Sequence, residues 1–140
     1  MSMRRYSFLE LVLGALLLAA CGQTPAAAQT IAVAGGSYRS VSATDLQKML
    51  KDKDFVFVNV HIPFAGDIAG TDVSVPYDEI AQKLSLLPPD KSYKIVLYCR
   101  SGHMSKLAAE ALVKLGYTNV WHLDGGMQAW EAAGFSLQTK

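Results

Sequence analysis

One stretch of this chain restricts its fold more than any other: an apolar run, a cysteine, a small polar loop and an alanine-rich segment. The run Ile95–Tyr98 consists of apolar and β-prone residues and has the length of a buried strand. Cys99 follows directly, and residues 105–115 beyond the loop are rich in Ala and Leu at helical spacing. The pattern predicts a strand that delivers Cys99 to a tight loop at the start of a helix.

The loop after Cys99 has the composition of an anion-binding site. The unpaired N–H groups and the dipole of the first helical turn place partial positive charge in such a loop. Arg100, His103 and Lys106 add cationic side chains, and this environment favours a thiolate over a thiol. A cysteine at the end of a buried strand is more often an inert apolar residue, but this polar loop favours the prediction that Cys99 is a nucleophile.

The remaining composition is that of one globular domain. The chain has 140 residues, of which 51% are hydrophobic and 18% are charged, and its formal net charge is +1. Because no basic run is present, nucleic acid is not an expected partner. Strand-like runs alternate with helical patterns. These are a helix capped by Ser42, a helix over residues 77–86, the helix after Cys99 with residues 108, 111, 112 and 115 on one face, and a last helix after a turn at residues 124–126. The alternation predicts an α/β domain with a mainly parallel sheet. Ligands of such sheets bind at the carboxyl ends of the strands, where Cys99 is expected.

Residues 1–20 have the features of an export signal. Arg4 and Arg5 precede an uncharged apolar run of ten residues, 11–20, which is too short to span a bilayer. The run ends in Leu-Ala-Ala before Cys21, which resembles a bacterial lipoprotein signal with cleavage before Cys21 and lipid on its sulfur. Ordinary secretion, with cleavage near residues 26–28, is the alternative. We expect an exported protein of the cell envelope, lipid-anchored to a bacterial membrane on the periplasmic or outer face.

Residues 21–37 are predicted to connect this anchor to the folded domain. They are rich in Gln, Thr, Pro, Ala and Gly and show no periodicity, which is typical of a flexible tether. If Cys21 carries lipid, Cys99 has no cysteine partner within the chain. An unpaired thiol outside the cytoplasm is unusual, and this favours a cysteine retained for its reactivity.

Several stretches between Ile95 and Phe135 resemble the rhodanese-like (sulfurtransferase) domain family. They are residues 95–102, 108–112, 116–120 and 123–130. The resemblance implies a three-layer domain over residues 38–137, with a central, mainly parallel sheet flanked by helices. It also implies that Cys99 carries a sulfane sulfur as a persulfide. We expect no cofactor and no metal, since His61, His103 and His122 lack ligand spacing.

The resemblance implies covalent catalysis in two steps. The Cys99 thiolate would attack a donor such as thiosulfate, and a thiol or cyanide acceptor would then remove the outer sulfur. A thioredoxin-like protein is one expected acceptor. Arg100, helped by His103, would attract an anionic donor. Backbone N–H groups would hold the persulfide in a loop made of six residues: Arg100, Ser101, Gly102, His103, Met104 and Ser105.

One part of the chain departs from the family pattern. Members commonly have Asp-Val-Arg after the second strand, where this chain has Asn59-Val60-His61. A Gly-His-Ile-Pro-Gly-Ala-like turn is also replaced, by residues 66–72. The usual acid and arginine help to frame the active site, so donor preference does not transfer. His61 is a candidate site-facing residue, whereas His122 is interpreted as a packed or surface histidine.

Two other functions were weighed against sulfur transfer. A non-catalytic tethered module would carry sulfur or sense oxidants through Cys99, a role that reactive thiols support. A cysteine-dependent phosphatase or arsenate reductase uses a Cys-x5-Arg loop in which the arginine clamps the oxyanion. The sixth residue after Cys99 is Ser105 rather than arginine, which disfavours this second alternative.

Overall fold

The structure is a computed structural model that describes residues 28–139. The predicted export signal and Cys21 lie outside the described residues. The described part contains strands and helices in alternation, with two single 3₁₀ turns at Ile80–Gln82 and Leu84–Leu86. In chain order the elements are β1 (Gln29–Val33), β2 (Gly36–Val41), α1 (Ala43–Lys51), β3 (Val56–Asn59), β4 (Val73–Ser74), β5 (Ile95–Tyr98), α2 (His103–Lys114), β6 (Val120–Leu123) and α3 (Gly126–Ala132).

The strands form one sheet in the order β1-β2-β6-β5-β3-β4. Every neighbouring pair from β2 to β4 is parallel, and β1 alone among the described strands is antiparallel to its neighbour. The prediction of an α/β fold with a mainly parallel sheet is therefore confirmed. β5 is an inner strand with all four residues buried, which accounts for its continuous apolar sequence.

The predicted tether, residues 21–37, needs correction at its C-terminal part. Gln29–Val33 is a strand that pairs with β2 in a hairpin whose turn is Ala34-Gly35. Ile31 and Val33 alternate along β1 and pack against the buried core, and Gly35 has φ +90°, which a tight hairpin turn requires. The ordered domain therefore begins before the predicted boundary at Tyr38.

Helices cover both faces of the sheet, and β5 contributes side chains to both. Ile95 and Leu97 point into the layer under α2, while Val96 and Tyr98 point into the layer under α1 and α3. The buried stripe of α2 consists of Ser105, Ala108, Ala109, Leu112 and Val113. Leu115, which the sequence places on the inner face, is instead about one third exposed.

The start of α1 agrees with its predicted cap, whereas a second predicted helix does not form. Ser42 caps α1, and its Oγ accepts a hydrogen bond of 3.1 Å from the Asp45 backbone N–H. A helix predicted over residues 77–86 is absent, because Lys83 leaves helical geometry and divides the segment into the two 3₁₀ turns. Within residues 28–139 no helix is long and apolar enough to cross a membrane.

Tyr98 holds the β3–β4 connection against the sheet below the end of β5. Its hydroxyl accepts a hydrogen bond of 3.0 Å from the Ile68 backbone N–H and donates to Asp67 Oδ1 at 3.1 Å. Thr71 Oγ1 lies 2.7 Å from the same oxygen. Asn59 adds hydrogen bonds from its Nδ2 to the Gly66 carbonyl at 3.1 Å and to Asp67 Oδ1 at 2.8 Å. The connection is therefore fixed by polar side chains of two strand ends.

We expect Tyr98→Phe to lower the free energy of unfolding by about 1–3 kcal/mol, because it leaves the buried Ile68 N–H without an acceptor. Urea unfolding at 25 °C measures the change. Tyr93→Phe is the matched control, since Tyr93 is 44% exposed and its loss should change stability by less than about 0.5 kcal/mol. Equal stability of the Tyr98→Phe and Tyr93→Phe variants would contradict this role.

Candidate active site

Cys99 lies directly after β5, at the carboxyl edge of the sheet. Its side chain is buried, with 1% of its surface exposed. The Gly102 backbone N–H donates a hydrogen bond of 3.0 Å to Cys99 Sγ, and Ser105 Oγ lies 3.6 Å from the same sulfur. The sulfur therefore accepts a hydrogen bond from one main-chain N–H, which stabilises negative charge, and its S–H donates to the Ser105 hydroxyl.

The loop between Cys99 and α2 requires a glycine. Gly102 precedes the first helical residue and has φ +97°, in the left-handed region. This conformation turns the Gly102 N–H back to the sulfur and directs the start of α2 at the loop, so that the positive end of the helix dipole faces it. Arg100, Ser101 and His103 are exposed, Met104 is half-buried, and Ser105 is buried.

The first turn of α3 supports the Cys99 loop from below. The Met127 N–H donates to the Cys99 carbonyl at 2.8 Å, and the Gln128 N–H donates to the Arg100 carbonyl at 3.0 Å. A Cβ atom on Gly126 would lie 2.3 Å from the Cys99 carbonyl oxygen. Gly126 therefore allows two backbones to touch, in addition to forming the turn that the sequence indicates.

A histidine from another strand contacts the loop through Ser105. His122 on β6 is fully buried, and its Nδ1 lies 3.0 Å from Ser105 Oγ. Its Nε2 lies 3.1 Å from Ser40 Oγ on β2. The sequence indicated only that His122 is a packed or surface histidine. Its contact with Ser105 could not be predicted, because the two residues are 17 positions apart and no local pattern links them.

His61 lies at the end of β3, beside the strand that carries Cys99. Its backbone N–H donates to Asn59 Oδ1 at 3.0 Å, and its Nδ1 is buried with no hydrogen-bond partner among residues 28–139. Burial, and then the nearby Arg100 guanidinium, hold the pKa of His61 below its usual value. The His61 ring is therefore neutral at physiological pH. The Asn59 side chain, by contrast, holds the β3–β4 connection through its hydrogen bonds to Gly66 and Asp67.

Two clefts flank the β3–β4 connection. His61 lines a cleft of about 250 Å³ together with Asn59 and the exposed Ile62 and Phe64. Arg100 lines another of about 230 Å³ with Met127 and Glu131. Of the predicted loop residues, the structure thus places Gly102 and Ser105 at the sulfur, while Arg100 and His61 line separate clefts. Cys21 lies outside the described residues.

A cysteine that ends a parallel strand and faces a loop N–H in front of a helix defines an α/β domain with a thiol site. Residues 42–133 match the family described as the rhodanese-like domain. This match covers more than half of the chain, and the chain belongs to the rhodanese-like domain family.

Known relatives match over most of the described residues. A mouse thiosulfate sulfurtransferase/rhodanese-like domain-containing protein 3 is 28% identical over 107 residues, 66% of this chain and 68% of the relative. A sulfurtransferase of Allochromatium vinosum is 30% identical over 93 residues, 65% of this chain and 85% of the relative. The crystal structure of a rhodanese-related protein of Thermoplasma volcanium is 32% identical with a TM-score of 0.61, covering 71% of this chain and 97% of that one.

The same domain also occurs in larger proteins of different activity. A tRNA uridine(34) hydroxylase of Hamiltonella defensa is 30% identical over 93 residues, which are 62% of this chain but only 26% of the hydroxylase. The chain therefore spans about a quarter of that relative. These matches place the chain in a family that includes sulfurtransferases, and the particular activity has to be argued from the site.

We predict that His122 makes the protein sensitive to mild acid. Burial is the main cause that lowers the pKa of His122 from 6.5 to about 4. Below pH 6.5 the unfolded chain takes up a proton that the folded chain excludes, so stability is lost as the pH falls from 6.5 toward 4. The loss should reach about 3 kcal/mol, given about 1.4 kcal/mol per pKa unit.

Urea unfolding across this pH range measures the effect. His122→Asn should remove most of the dependence of the free energy of unfolding on pH, while it keeps a polar contact to Ser105. His103→Asn, which changes an exposed histidine, is the control and should retain that dependence. The prediction would be wrong if wild type and His122→Asn lost the same free energy between pH 6.5 and 4.

Proposed function

We propose that this protein is a sulfurtransferase that moves a sulfane sulfur through a persulfide on Cys99. The observation that carries the proposal is the hydrogen bond from the Gly102 N–H to Cys99 Sγ, at the positive end of α2. A main-chain donor in this position stabilises the thiolate before attack and after the sulfur has left. The family membership of residues 42–133 agrees with this chemistry.

In the proposed first step the Cys99 thiolate attacks the outer sulfur of thiosulfate. A bond forms between Cys99 Sγ and that sulfur, while the sulfur–sulfur bond of thiosulfate breaks and sulfite leaves with the electron pair. In the second step cyanide or a thiolate attacks the outer sulfur of the persulfide. The electron pair of the persulfide bond returns to Cys99, and thiocyanate or a new persulfide leaves.

The site favours a small anionic donor. Cys99 has 1% of its surface exposed, so the donor has to present a narrow terminal sulfur at the loop. Exposed Arg100 supplies a positive charge beside the loop, and His103 and Lys106 lie on the first turns of α2. Transfer of a sulfur atom to Cys99 moves the reactive atom away from the buried Sγ, since the added sulfur lengthens the side chain by about 2 Å. A thiol acceptor, including one on a thioredoxin-like protein, then meets a less buried sulfur.

We expect the wild-type chain incubated with thiosulfate to gain the mass of one sulfur atom and then to form thiocyanate from cyanide. Cys99→Ser should lose both, because an alkoxide is not accessible to the serine at neutral pH and no persulfide forms. Intact-mass spectrometry and a thiocyanate assay measure the two steps. Tyr93→Phe is the control for handling and folding, because Tyr93 is exposed and lies before the start of β5, at the opposite end of that strand from Cys99.

The outcomes of this experiment separate the candidate functions. A sulfur adduct without turnover would favour the tethered carrier. Thiocyanate formation that survives in Cys99→Ser would contradict the proposed nucleophile. Failure of the wild type to form either an adduct or thiocyanate would exclude thiosulfate as the donor. It would also direct attention to Asn59 and His61, where the family pattern is not followed.

We further propose that lipid on Cys21 anchors the protein to a bacterial membrane on the periplasmic or outer face. The apolar run that ends at Cys21 supports this proposal. Gln29 pairs with Ser40, near the carboxyl end of β2, because β1 is antiparallel to β2. The chain therefore enters the domain at the carboxyl edge of the parallel strands, where Cys99 also lies. Eight residues from Cys21 to Gln29 span at most about 28 Å. The anchor would therefore keep the Cys99 edge close to the membrane surface.

Expression of the full chain in a bacterial host tests the anchor. The wild-type protein should sediment with membranes and carry a lipid mass on the peptide that begins at Cys21, whereas Cys21→Ala should lose the lipid and appear in the soluble fraction. A single acyl group gives only weak binding, so a multiply acylated cysteine should produce a clear separation. Cys99→Ser is the matched control and should remain with membranes; retention of Cys21→Ala there would contradict the anchor.

A further inference from the structure

A line of polar side chains runs from Cys99 across the core beneath α2. Cys99 Sγ lies 3.6 Å from Ser105 Oγ, which lies 3.0 Å from His122 Nδ1. His122 Nε2 lies 3.1 Å from Ser40 Oγ. Ser105 and His122 have no exposed surface, and Ser40 is half-buried. The line therefore connects the sulfur to β2, two strands away from β5.

The pairing of the strands places these groups in contact. Ser40 and His122 are direct partners in the parallel pairing of β2 with β6, and Leu97 is the partner of His122 on β5. Tyr38 packs edge-on against the His122 ring, with centroids 5.4 Å apart. Tyr38 thus packs against the imidazole, and among residues 28–139 each ring nitrogen has one serine oxygen within hydrogen-bond distance.

The Ser105 hydroxyl has one proton and several acceptors within reach. With a thiol at Cys99, the Ser105 hydroxyl donates to the Gly102 carbonyl at 3.1 Å and accepts the Cys99 S–H at 3.6 Å, and His122 Nδ1 lies 3.0 Å from the same oxygen. A hydroxyl donates one hydrogen bond. If His122 Nδ1 carries no hydrogen, it competes for that proton. If Nδ1 carries the hydrogen, it donates to Ser105 Oγ, and the hydroxyl proton can turn to the sulfur.

A negative sulfur favours the second arrangement. With a thiolate at Cys99, the N–H of His122 and the O–H of Ser105 both point along the line toward the charge, and each bond strengthens the next. Ser40 can then donate its hydroxyl proton to the bare Nε2, while its half-buried position leaves its oxygen accessible to water. Each group on the line is satisfied, and no proton has to move between them.

We propose that His122 is a positioning residue for the Cys99 nucleophile, which in its Nδ1–H tautomer directs the Ser105 hydroxyl to the thiolate. Two charged groups act on the ring, Asp124 after β6 and Lys106 on α2, with opposite effects on its protonation. His122 stays neutral in the working pH range because it is fully buried. Its contribution is the orientation of a dipole, not the transfer of a proton.

Nitrogen-15 NMR of the imidazole groups gives a direct test on the wild-type chain. The chemical shifts of protonated and bare ring nitrogens are well separated, so the tautomer of His122 is read without mutation. We expect a protonated Nδ1 and a bare Nε2 near neutral pH. A bare Nδ1 with a protonated Nε2 would overturn the proposal, since that tautomer draws the Ser105 hydroxyl away from the sulfur.

The pH dependence of thiol alkylation gives the second test. In the full chain carrying Cys21→Ser, Cys99 is the remaining cysteine, and the rate of its reaction with iodoacetamide reports its thiolate fraction. Ser105→Ala and His122→Leu should displace the rate profile to higher pH and lower the rate near neutral pH about tenfold, as expected for loss of a hydrogen bond to a charged group. His122→Asn, which can still contact Ser105, should recover most of the rate.

A double-mutant cycle keeps the test decisive if His122→Leu does not fold. When His122 acts through Ser105, Ser40→Ala should displace the profile by itself, because it removes the donor to Nε2, and should have no further effect in a Ser105→Ala background. Effects that add fully in that background would overturn the proposal, as would a folded His122→Leu variant with an unchanged profile. Circular dichroism and unfolding midpoints establish folding of each variant before its profile is compared.

This inference rests on the proposed role of Cys99 as a nucleophile, but the two measurements read the tautomer of His122 and the ionisation of Cys99. They do not depend on a sulfur donor. A chain with the expected tautomer and displaced profiles but without a sulfur adduct would support the positioning role and exclude thiosulfate as the donor. A chain that transfers sulfur with an unchanged His122→Leu profile would do the reverse.

Discussion

The site depends on direct backbone contact between the end of β5 and the start of α3. The Met127 and Gln128 N–H groups hold the carbonyls of Cys99 and Arg100, and Gly126 has no Cβ to separate the two chains. These contacts fix the first two carbonyls of the loop, and the Gly102 N–H that follows donates to Cys99 Sγ. Anion stabilisation at Cys99 is therefore built into the main chain and does not require a charged side chain to touch the sulfur.

Polar groups inside the core add a second constraint. Burying Ser105 and His122 costs free energy unless each finds a hydrogen-bond partner. The structure provides partners at both ends of the imidazole, so the polar line is satisfied and has a defined geometry. We expect the same burial that keeps the ring neutral to make the fold less stable in acid. In the proposed positioning role, one residue would then favour the Cys99 thiolate and lower the stability of the fold at low pH.

Two residues at the end of β3 differ from the usual family pattern. Asn59 takes the position of the usual family acid, and its amide nitrogen donates hydrogen bonds to the Gly66 carbonyl and to Asp67. His61 takes the position of the usual arginine and presents a neutral ring beside Arg100. The positive charge near the loop therefore comes from Arg100 and the start of α2. This is a physical reason to expect a donor preference different from that of relatives with the usual pair.

The sequence by itself determined the elements whose signals are local. The apolar run before Cys99 indicated a buried strand and the cysteine loop. Ser42 indicated the start of α1, and the glycines at residues 125–126 indicated the turn before α3. These signals are local because strand burial, capping and turns depend on neighbouring residues. β1 and the two 3₁₀ turns were missed, since pairing with β2 and the geometry at Lys83 outweigh a weak local pattern. Only the tertiary structure decided that His122 contacts Ser105 and that Gly126 touches Cys99. These contacts join residues that are distant in sequence, and they are set by strand register and by helix packing on the sheet.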